Sequence, residues 1–297
     1  MTAPGGTATL AGHTVARIGF GAMQLESQRT DRDAAVAIVR QAARAGVNHI
    51  DTARFYGECN ALIRAALAPY PDDLVLVTKA GADRDGGGRL VPAQRPAQLR
   101  AQVEANLATL GVERVGVVNL RRLDAQPGII AEGDQVVDLD AQLAELAALR
   151  DAGKIGGIGL SNVSADQLRQ ALPAGIACVQ NSYSVLDRAA EPVLELCREH
   201  GIAWAPFFPL GSAFSQRPRV SEDPTVMAIA AELAVTPAQV GLAWLLAHDE
   251  GTLLIPGTAS PAHLAQNIAA GAVRLPGSSI EALSQLAGPP ARPGSGH

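Results

Sequence analysis

The stretch DRDAAVAIVRQAARAGVNHIDTA, residues 31–53, contains one complete structural unit written in line. Asp31–Ala45 reads as an amphipathic helix, with Thr30-Asp31 offering a capping oxygen at its start. Ala45-Gly46 places glycine where helices stop, and Asn48–Ala53 follows as a β-type run. The same unit recurs along the chain. Further strands are expected at Arg17–Met23, Leu74–Gly81, Val115–Leu123, Lys154–Asn162, Cys178–Tyr183, Ala203–Leu210 and Leu253–Thr258. Helical stretches such as Pro96–Leu110, Asp140–Ala152 and Glu191–Gly201 lie between them, and Gly111, Gly153 and Gly201 repeat the stop signal. Most of the strands are continuous apolar runs, as strands buried on both faces of a parallel sheet are. Eight strands alternating with helices, at about 37 residues per unit, give an α/β chain folded as a (β/α)8 barrel. A doubly wound sheet would show GxGxxG after its first strand, and Gly19-Phe20-Gly21-Ala22-Met23 does not continue that pattern. The segment before Arg17, with a turn at Ala11-Gly12, reads as a short N-terminal β-hairpin closing the barrel bottom. No internal linker divides the chain, so residues 1–297 are expected to form a single barrel domain with disordered ends at 1–6 and 288–297.

Composition agrees and narrows the functional classes. Apolar residues make up 47% and charged residues 18%, which excludes a disordered chain, and no short repeat organises the 30 glycines. The formal net charge of −5 offers no basic stripe, so no nucleic-acid partner is expected. No apolar run approaches the roughly 20 residues of a membrane span, and Met1–Leu10 lacks the pattern of a secretion signal. Three cysteines, odd in number and without a CxxC pair, fit free thiols in a cytoplasmic protein. Six scattered histidines have no ligand spacing, so no metal site is expected. Of only ten aromatic residues, seven fall at or just beyond expected strand ends: Phe20, Phe55, Tyr56, Tyr183, Phe207, Phe208 and Phe214. They are expected to furnish the barrel mouth.

Barrels of this kind build their sites at the C-terminal ends of the strands. Those ends carry Asp51, Lys79 and Arg121, with Tyr56 in the loop after Asp51. A tyrosine is a weak acid, with an ordinary pKa of about 10. A lysine beside it is expected to lower that value, and a carboxylate to hold the lysine in place and charged. Such a trio can protonate a carbonyl oxygen as hydride reaches the carbon. Singly, each residue has an ordinary reading: a helix-capping Asp, a Lys extending into solvent, a loop Tyr. Their joint placement on one rim carries the chemical reading.

From about Arg17 to Leu286 the sequence resembles the aldo-keto reductases. The matching words, in order, are Gly19-Phe20-Gly21-Ala22-Met23, Asn48–Ala53 with Phe55-Tyr56-Gly57, Val77-Thr78-Lys79, Gly157–Asn162, Val179-Gln180-Asn181 and Ile255-Pro256-Gly257-Thr258. The resemblance implies a barrel that binds NADPH and reduces a small aldehyde or ketone without metal. It implies that Asp51, Tyr56 and Lys79 are three of four catalytic residues. The family usually has histidine in the fourth position, where this chain has Arg121. A guanidinium donates without ever accepting, so it can polarise a carbonyl but cannot relay a proton. Arg121 is therefore expected to act as an oxyanion or substrate-anion clamp, against an alternative in which it turns away into a surface ion pair. By the same resemblance Ser161, Asn162 and Gln180 hold the nicotinamide amide, and Phe207 stacks on its ring. Strand alternation leaves room for only one of Phe207 and Phe208 at the mouth. Gly21, Leu210 and Gly211 are also assigned to cofactor binding, while Thr258, Ser260, His263, Gln266 and Asn267 open a helix that resembles an adenosine-phosphate site. Gly257 and His263 replace basic residues that many relatives use for the 2′-phosphate, so discrimination against NADH is expected to be weak. Met23, Phe55 and Phe208 are assigned to the substrate pocket. Val118-Asn119-Leu120-Arg121, Pro206–Gly211 and Pro261-Ala262-His263-Leu264 narrow the resemblance to a bacterial pyridoxal reductase branch, although the loop Met23–Thr30 is shorter than that branch usually carries. Two other readings stand beside this one: a nicotinamide-binding redox sensor or regulatory subunit with little turnover, and a Schiff-base aldolase using Lys79 as nucleophile. Oligomeric state is not legible in the sequence.

Overall fold

The structure, a computed structural model, describes residues 3–26, 31–211 and 218–286. It opens with an antiparallel hairpin, β1 (Thr7–Leu10) and β2 (His13–Ala16). The turn puts Ala11 and Gly12 both at positive φ, the geometry that matches strand twist in a two-residue hairpin. The parallel strands then follow: β3 (Phe20–Gly21), β4 (His49–Asp51) and β5 (Val75–Ala80). After β5 the chain makes a small antiparallel hairpin, β6 (Ala82–Arg84) and β7 (Leu90–Pro92). It returns to the barrel as β8 (Val115–Arg121), β9 (Ile155–Ser161), β10 (Ile176–Gln180) and β11 (Ala203–Trp204). The sheet order is β11-β10-β9-β8-β5-β4-β3, all parallel.

Closure comes from the segment expected as the eighth strand, and it is much shorter than expected. Leu254 N donates to Arg17 O and Gly19 N to Leu254 O, both at 2.7 Å. On the other side Leu253 N donates to Trp204 O at 2.7 Å. Residues 252–254 thus bridge β3 and β11 without forming a full ladder, and the sheet curls into a (β/α)8 barrel. The expected strands Arg17–Met23 and Ala203–Leu210 are likewise cut to two-residue strands, with isolated bridges at Ile18 and Phe207.

Helices α1 (Arg32–Arg44), α2 (Cys59–Leu67), α3 (Pro96–Leu110), α4 (Leu139–Asp151), α5 (Ala165–Ala171) and α6 (Glu191–His200) cover the outside in register with the strands. Four more complete the shell: α7 (Pro224–Glu232), α8 (Pro237–His248), α9 (Pro261–Ala269) and α10 (Gly277–Ser284). Asp31 caps α1 by accepting from Ala34 N, and Gly111 and Gly201 end α3 and α6 at positive φ.

Strand alternation decides what faces inward. Val75, Val77, Val117, Cys178 and Ala203 form an inner cluster with Leu10 and Val15 of the hairpin, which therefore plugs the bottom. The intervening Leu76, Val118, Leu120 and Val179 join the larger cluster under the helices. Continuing the same period of two upward brings Lys79, Arg121 and Gln180 to the open end.

Two expectations are corrected. The start of the chain is packed from residue 3: Pro4 is buried and accepts from Ile18 N at 3.1 Å. Residues 1–2 and 288–297 lie outside the described residues. Phe20 and Tyr183 belong to the packed body, not the mouth; the Tyr183 ring sits edge-on to Trp204 at 5.7 Å and stacks on Trp244 at 6.3 Å. Phe214 lies outside the described residues.

One buried group predicts an acid limit to stability. His49 is 1% exposed and hydrogen-bonds to no group among the described residues, and its ring fills the space beside Gly19, where any added Cβ would lie 2.2 Å from Nε2. Burial pushes its pKa down to about 4 from 6.5. Because the folded value is depressed, the stability it permits is present above pH 6.5 and is lost as pH falls toward 4, about 3 kcal/mol in all. Urea midpoints should fall across that window, and His49→Leu should flatten the decline between pH 6.5 and 5, above the carboxylate range.

Candidate active site

A cavity of about 1040 Å³ opens at the C-terminal ends of the strands. Asp51 comes to it from the end of β4 and Lys79 from β5, adjacent strands whose inward positions meet. The Lys79 ammonium bonds Asp51 Oδ1 and reaches Thr52 O at 3.4 Å. The other carboxylate oxygen accepts from Gln180 Nε2 at 2.7 Å. Both oxygens are therefore held, and both side chains are nearly excluded from water. Lys79 Nζ lies 5.1 Å from the centre of the Tyr56 ring. Burial alone would drive the Lys79 pKa down, but Asp51 and Tyr56 together hold it above its ordinary value.

The expected lowering of the Tyr56 pKa is corrected. Burial pushes the phenol above its ordinary value, and the downward pull of the Lys79 charge does not overcome it. The phenol is consequently protonated at neutral pH, as a proton donor must be, and any phenolate formed there faces the ammonium.

Alternation separates the two consecutive arginines. Arg122 turns outward, buried, and bonds Asp124, Val137 O at 2.9 Å and Gln142. Arg121 turns into the cavity, where its Nη2 donates to Pro127 O at 3.1 Å. Among the described residues it has no carboxylate partner, so the surface ion pair weighed as its alternative is not formed. Burial lowers its pKa, opposed by the Tyr56 phenol.

Most of the other expected residues line the same cavity: Gly21, Gln180, Phe207, Leu210, Gly211, Gly257, Thr258, His263, Gln266 and Asn267, with Met23, Phe55 and Phe208 toward the substrate side. Phe207 and Phe208 both face it, against the expectation of one. Phe208 sits at φ 56°, which breaks the alternation, and the two rings meet edge to face at 5.1 Å. Three expected residues do not line it. Ser161 is fully buried, level in the sheet with Arg121 and Gln180, and its Oγ has no partner among the described residues. Asn162 donates to Ala125 O at 2.8 Å, holding the loop after β8. Ser260 is spent as the N-cap of α9. Of the short loop after β3, residues 23–26 form one 3-10 turn, and residues 27–30 lie outside the described residues.

The walls fit a dinucleotide. Gln180 Oε1 is a buried acceptor with no partner among the described residues, suited to a carboxamide N–H. A Cβ at Gly257 would lie 2.5 Å from Gly21 O, and one at Gly21 would lie 2.5 Å from Ile255 O. Bare backbone is all this wall can hold, which is why no basic side chain stands at 257. Sequence reasoning missed Glu26, Arg84 and Leu90, and also the loop Gln126-Pro127-Gly128. The run Asp85-Gly86-Gly87-Gly88 between two short extended stretches was a readable hairpin signal; the loop after β8 carried none.

The sequence profile of the Aldo/keto reductase family matches residues 17–287. The chain belongs to that family. It is an NAD(P)H-dependent oxidoreductase acting on carbonyl and alcohol groups. It is 43% identical to the pyridoxine 4-dehydrogenase of Escherichia coli over 95% of this chain and 97% of that protein. With the NADH-specific methylglyoxal reductase of E. coli it shares 26% identity, over 92% of this chain and 95% of the other. An aldo-keto reductase from Klebsiella pneumoniae, solved in complex with NADPH, superposes with a TM-score of 0.81 at 25% identity, covering 96% of both chains.

Proposed function

We propose that this reductase uses NADPH to reduce an aldehyde, pyridoxal to pyridoxine being the leading candidate, in the cytoplasm. The observation that carries the reading is the buried Asp51–Lys79 pair facing the Tyr56 ring, beside an Arg121 that has no carboxylate partner among the described residues. When bound, NADPH supplies the hydride to the carbonyl carbon. Gln180, Phe207, Leu210 and Gly211 would hold the nicotinamide half against Gly21 and Gly257, with Thr258, His263, Gln266 and Asn267 at the adenosine half. Tyr56 donates its proton to the carbonyl oxygen, and Lys79 stabilises the phenolate left behind. Asp51, fixed by Gln180, keeps Lys79 aimed and charged. Arg121 donates to the same oxygen or to an ionised phenol next to the aldehyde, as pyridoxal carries. Support for that substrate comes from the E. coli relative, whose name describes the same interconversion in the alcohol-to-aldehyde direction.

The deciding measurement is NADPH consumption with a panel of aldehydes that includes pyridoxal. Turnover of simple aromatic aldehydes with none of pyridoxal would overturn the substrate assignment and leave the reductase standing. Arg121→Ala is expected to cost about 10²-fold in kcat/KM with pyridoxal, the usual effect of losing one oxyanion donor. Full turnover in that variant would remove Arg121 from the mechanism. KM values for NADPH and NADH should lie close together, because the adenosine-side wall offers no Lys or Arg among the described residues.

A further inference from the structure

The β6–β7 hairpin lies outside the barrel sheet, yet it and the residue just past it bond to the backbone that carries both groups that would face the carbonyl oxygen. It leaves the chain immediately after the strand that carries Lys79. Near its start Arg84 Nε donates to Phe55 O at 2.8 Å, the peptide directly before Tyr56. Arg84 also bonds Glu26, and Glu26 lies over Gly57, the residue directly after Tyr56, with Cγ 3.3 Å from where a Cβ would stand. Its remaining bond, to Gly88 O at 2.7 Å, ties the guanidinium to the hairpin's own turn. Phe55 packs with Ala82 and Leu90 of the hairpin, and its ring meets the Tyr56 ring edge-on at 5.1 Å. Just past the hairpin, buried Gln94 donates to Gly81 O at 2.6 Å and to Arg121 O at 2.8 Å. Gln142 fixes that amide from behind, donating to Gln94 Oε1 at 3.0 Å.

We propose that this hairpin is a jig that sets the separation of Tyr56 and Arg121, with Arg84 and Gln94 as its positioning residues. Neither needs to touch substrate. Arg84 acts through the backbone on either side of Tyr56, and Gln94 through the carbonyl of Arg121. A planar, charged fork is suited to the Arg84 position because one side chain must reach Phe55 O, Glu26 and Gly88 O at once, which an ammonium on a flexible stem cannot do equally well. The proposal rests on the reading of Tyr56 as proton donor.

The test compares Arg84→Met, Arg84→Lys, Arg89→Met and Tyr56→Phe, with kcat, KM for NADPH and melting temperature for each. Arg89 sits on the same hairpin and pairs with Asp85, away from the Tyr56 loop, so it reports on the hairpin's own integrity. Arg84→Met should lower kcat about 10-fold or more, as small misplacements of catalytic groups do. KM for NADPH and the melting temperature should stay near those of the parent. Arg84→Lys should recover part of the loss, and Arg89→Met should behave as the parent. Parental kcat in Arg84→Met, where Tyr56→Phe is inactive, overturns the jig and leaves the Tyr56 reading intact. An equal loss in Arg89→Met also overturns it, because the effect would then be hairpin stability. Full turnover in Tyr56→Phe removes both readings.

Discussion

Replacing Tyr56 with Phe should lower kcat for aldehyde reduction by about 10²- to 10⁴-fold, the range that a positioned acid contributes. Cofactor affinity should be unchanged, because the variant removes one oxygen from the substrate side and leaves the ring in place against Phe55. The pH profile carries the same argument. Burial, only partly offset by Lys79, keeps the Tyr56 phenol above its ordinary value. Reduction by the parent should therefore be independent of pH through neutrality and decline only above about pH 10, where an ordinary tyrosine ionises. Alcohol oxidation, which needs the phenolate to accept a proton, should rise toward the same limit. In Tyr56→Phe the residual rate should lose both dependences. A parental rate that falls off near pH 7 would assign the proton to some other group.

The barrel was legible because its signals are local and repeated. A helix, a glycine stop and an apolar strand recur as in residues 31–53, and the observed α1 and β4 fall inside the expected spans. Asp51, Lys79 and Arg121 were legible for a related reason: a period of two, counted along an apolar run, fixes which residue reaches the open end. What was not legible is where that period breaks. Phe208 takes a positive φ that its neighbours in sequence do not announce, so a second ring enters the cavity. Leu253–Thr258 has the composition of a strand, but it pairs only through residues 252–254 and then runs along the cavity wall as bare backbone.

The sign of the Tyr56 shift was also beyond the sequence. Residue types show that a lysine stands nearby, but burial is a property of the assembled mouth, and there it outweighs the lysine's charge. Ser161 and Asn162 show the same limit from the other side. The resemblance implied that they hold the nicotinamide amide, whereas Asn162 donates to the loop after β8 and Ser161 is fully buried at the level of Arg121 and Gln180. Conversely, Arg84 and Gln94 act on the site from a hairpin that no strand period includes.

Lys79→Met should separate stability from catalysis when it is paired with Asp51→Asn. Removing Lys79 alone leaves a carboxylate in a site where the Asp51 side chain is 5% exposed, with Gln180 as its remaining side-chain donor. Breaking one side of a buried pair in this way costs about 3–5 kcal/mol, because the surviving charge has neither water nor an opposite charge beside it. The double variant removes both charges and keeps an amide in the Asp51 position, so most of that loss should be restored. Turnover should not be restored, since the phenolate left by proton donation would then face no cation. Alkaline pH supplies an independent check. Lys79 is held above its ordinary value of 10.5 by Asp51 and Tyr56 against burial. A raised folded value means that the pair's contribution is complete below that pH and is lost as pH climbs through the folded value. The stability gap between the parent and the double variant should therefore be constant from pH 7 to about 10 and shift against the parent above it. If the single variant proved as stable as the double, the Asp51 carboxylate would not depend on Lys79 for compensation, and its pairing role would have to be abandoned.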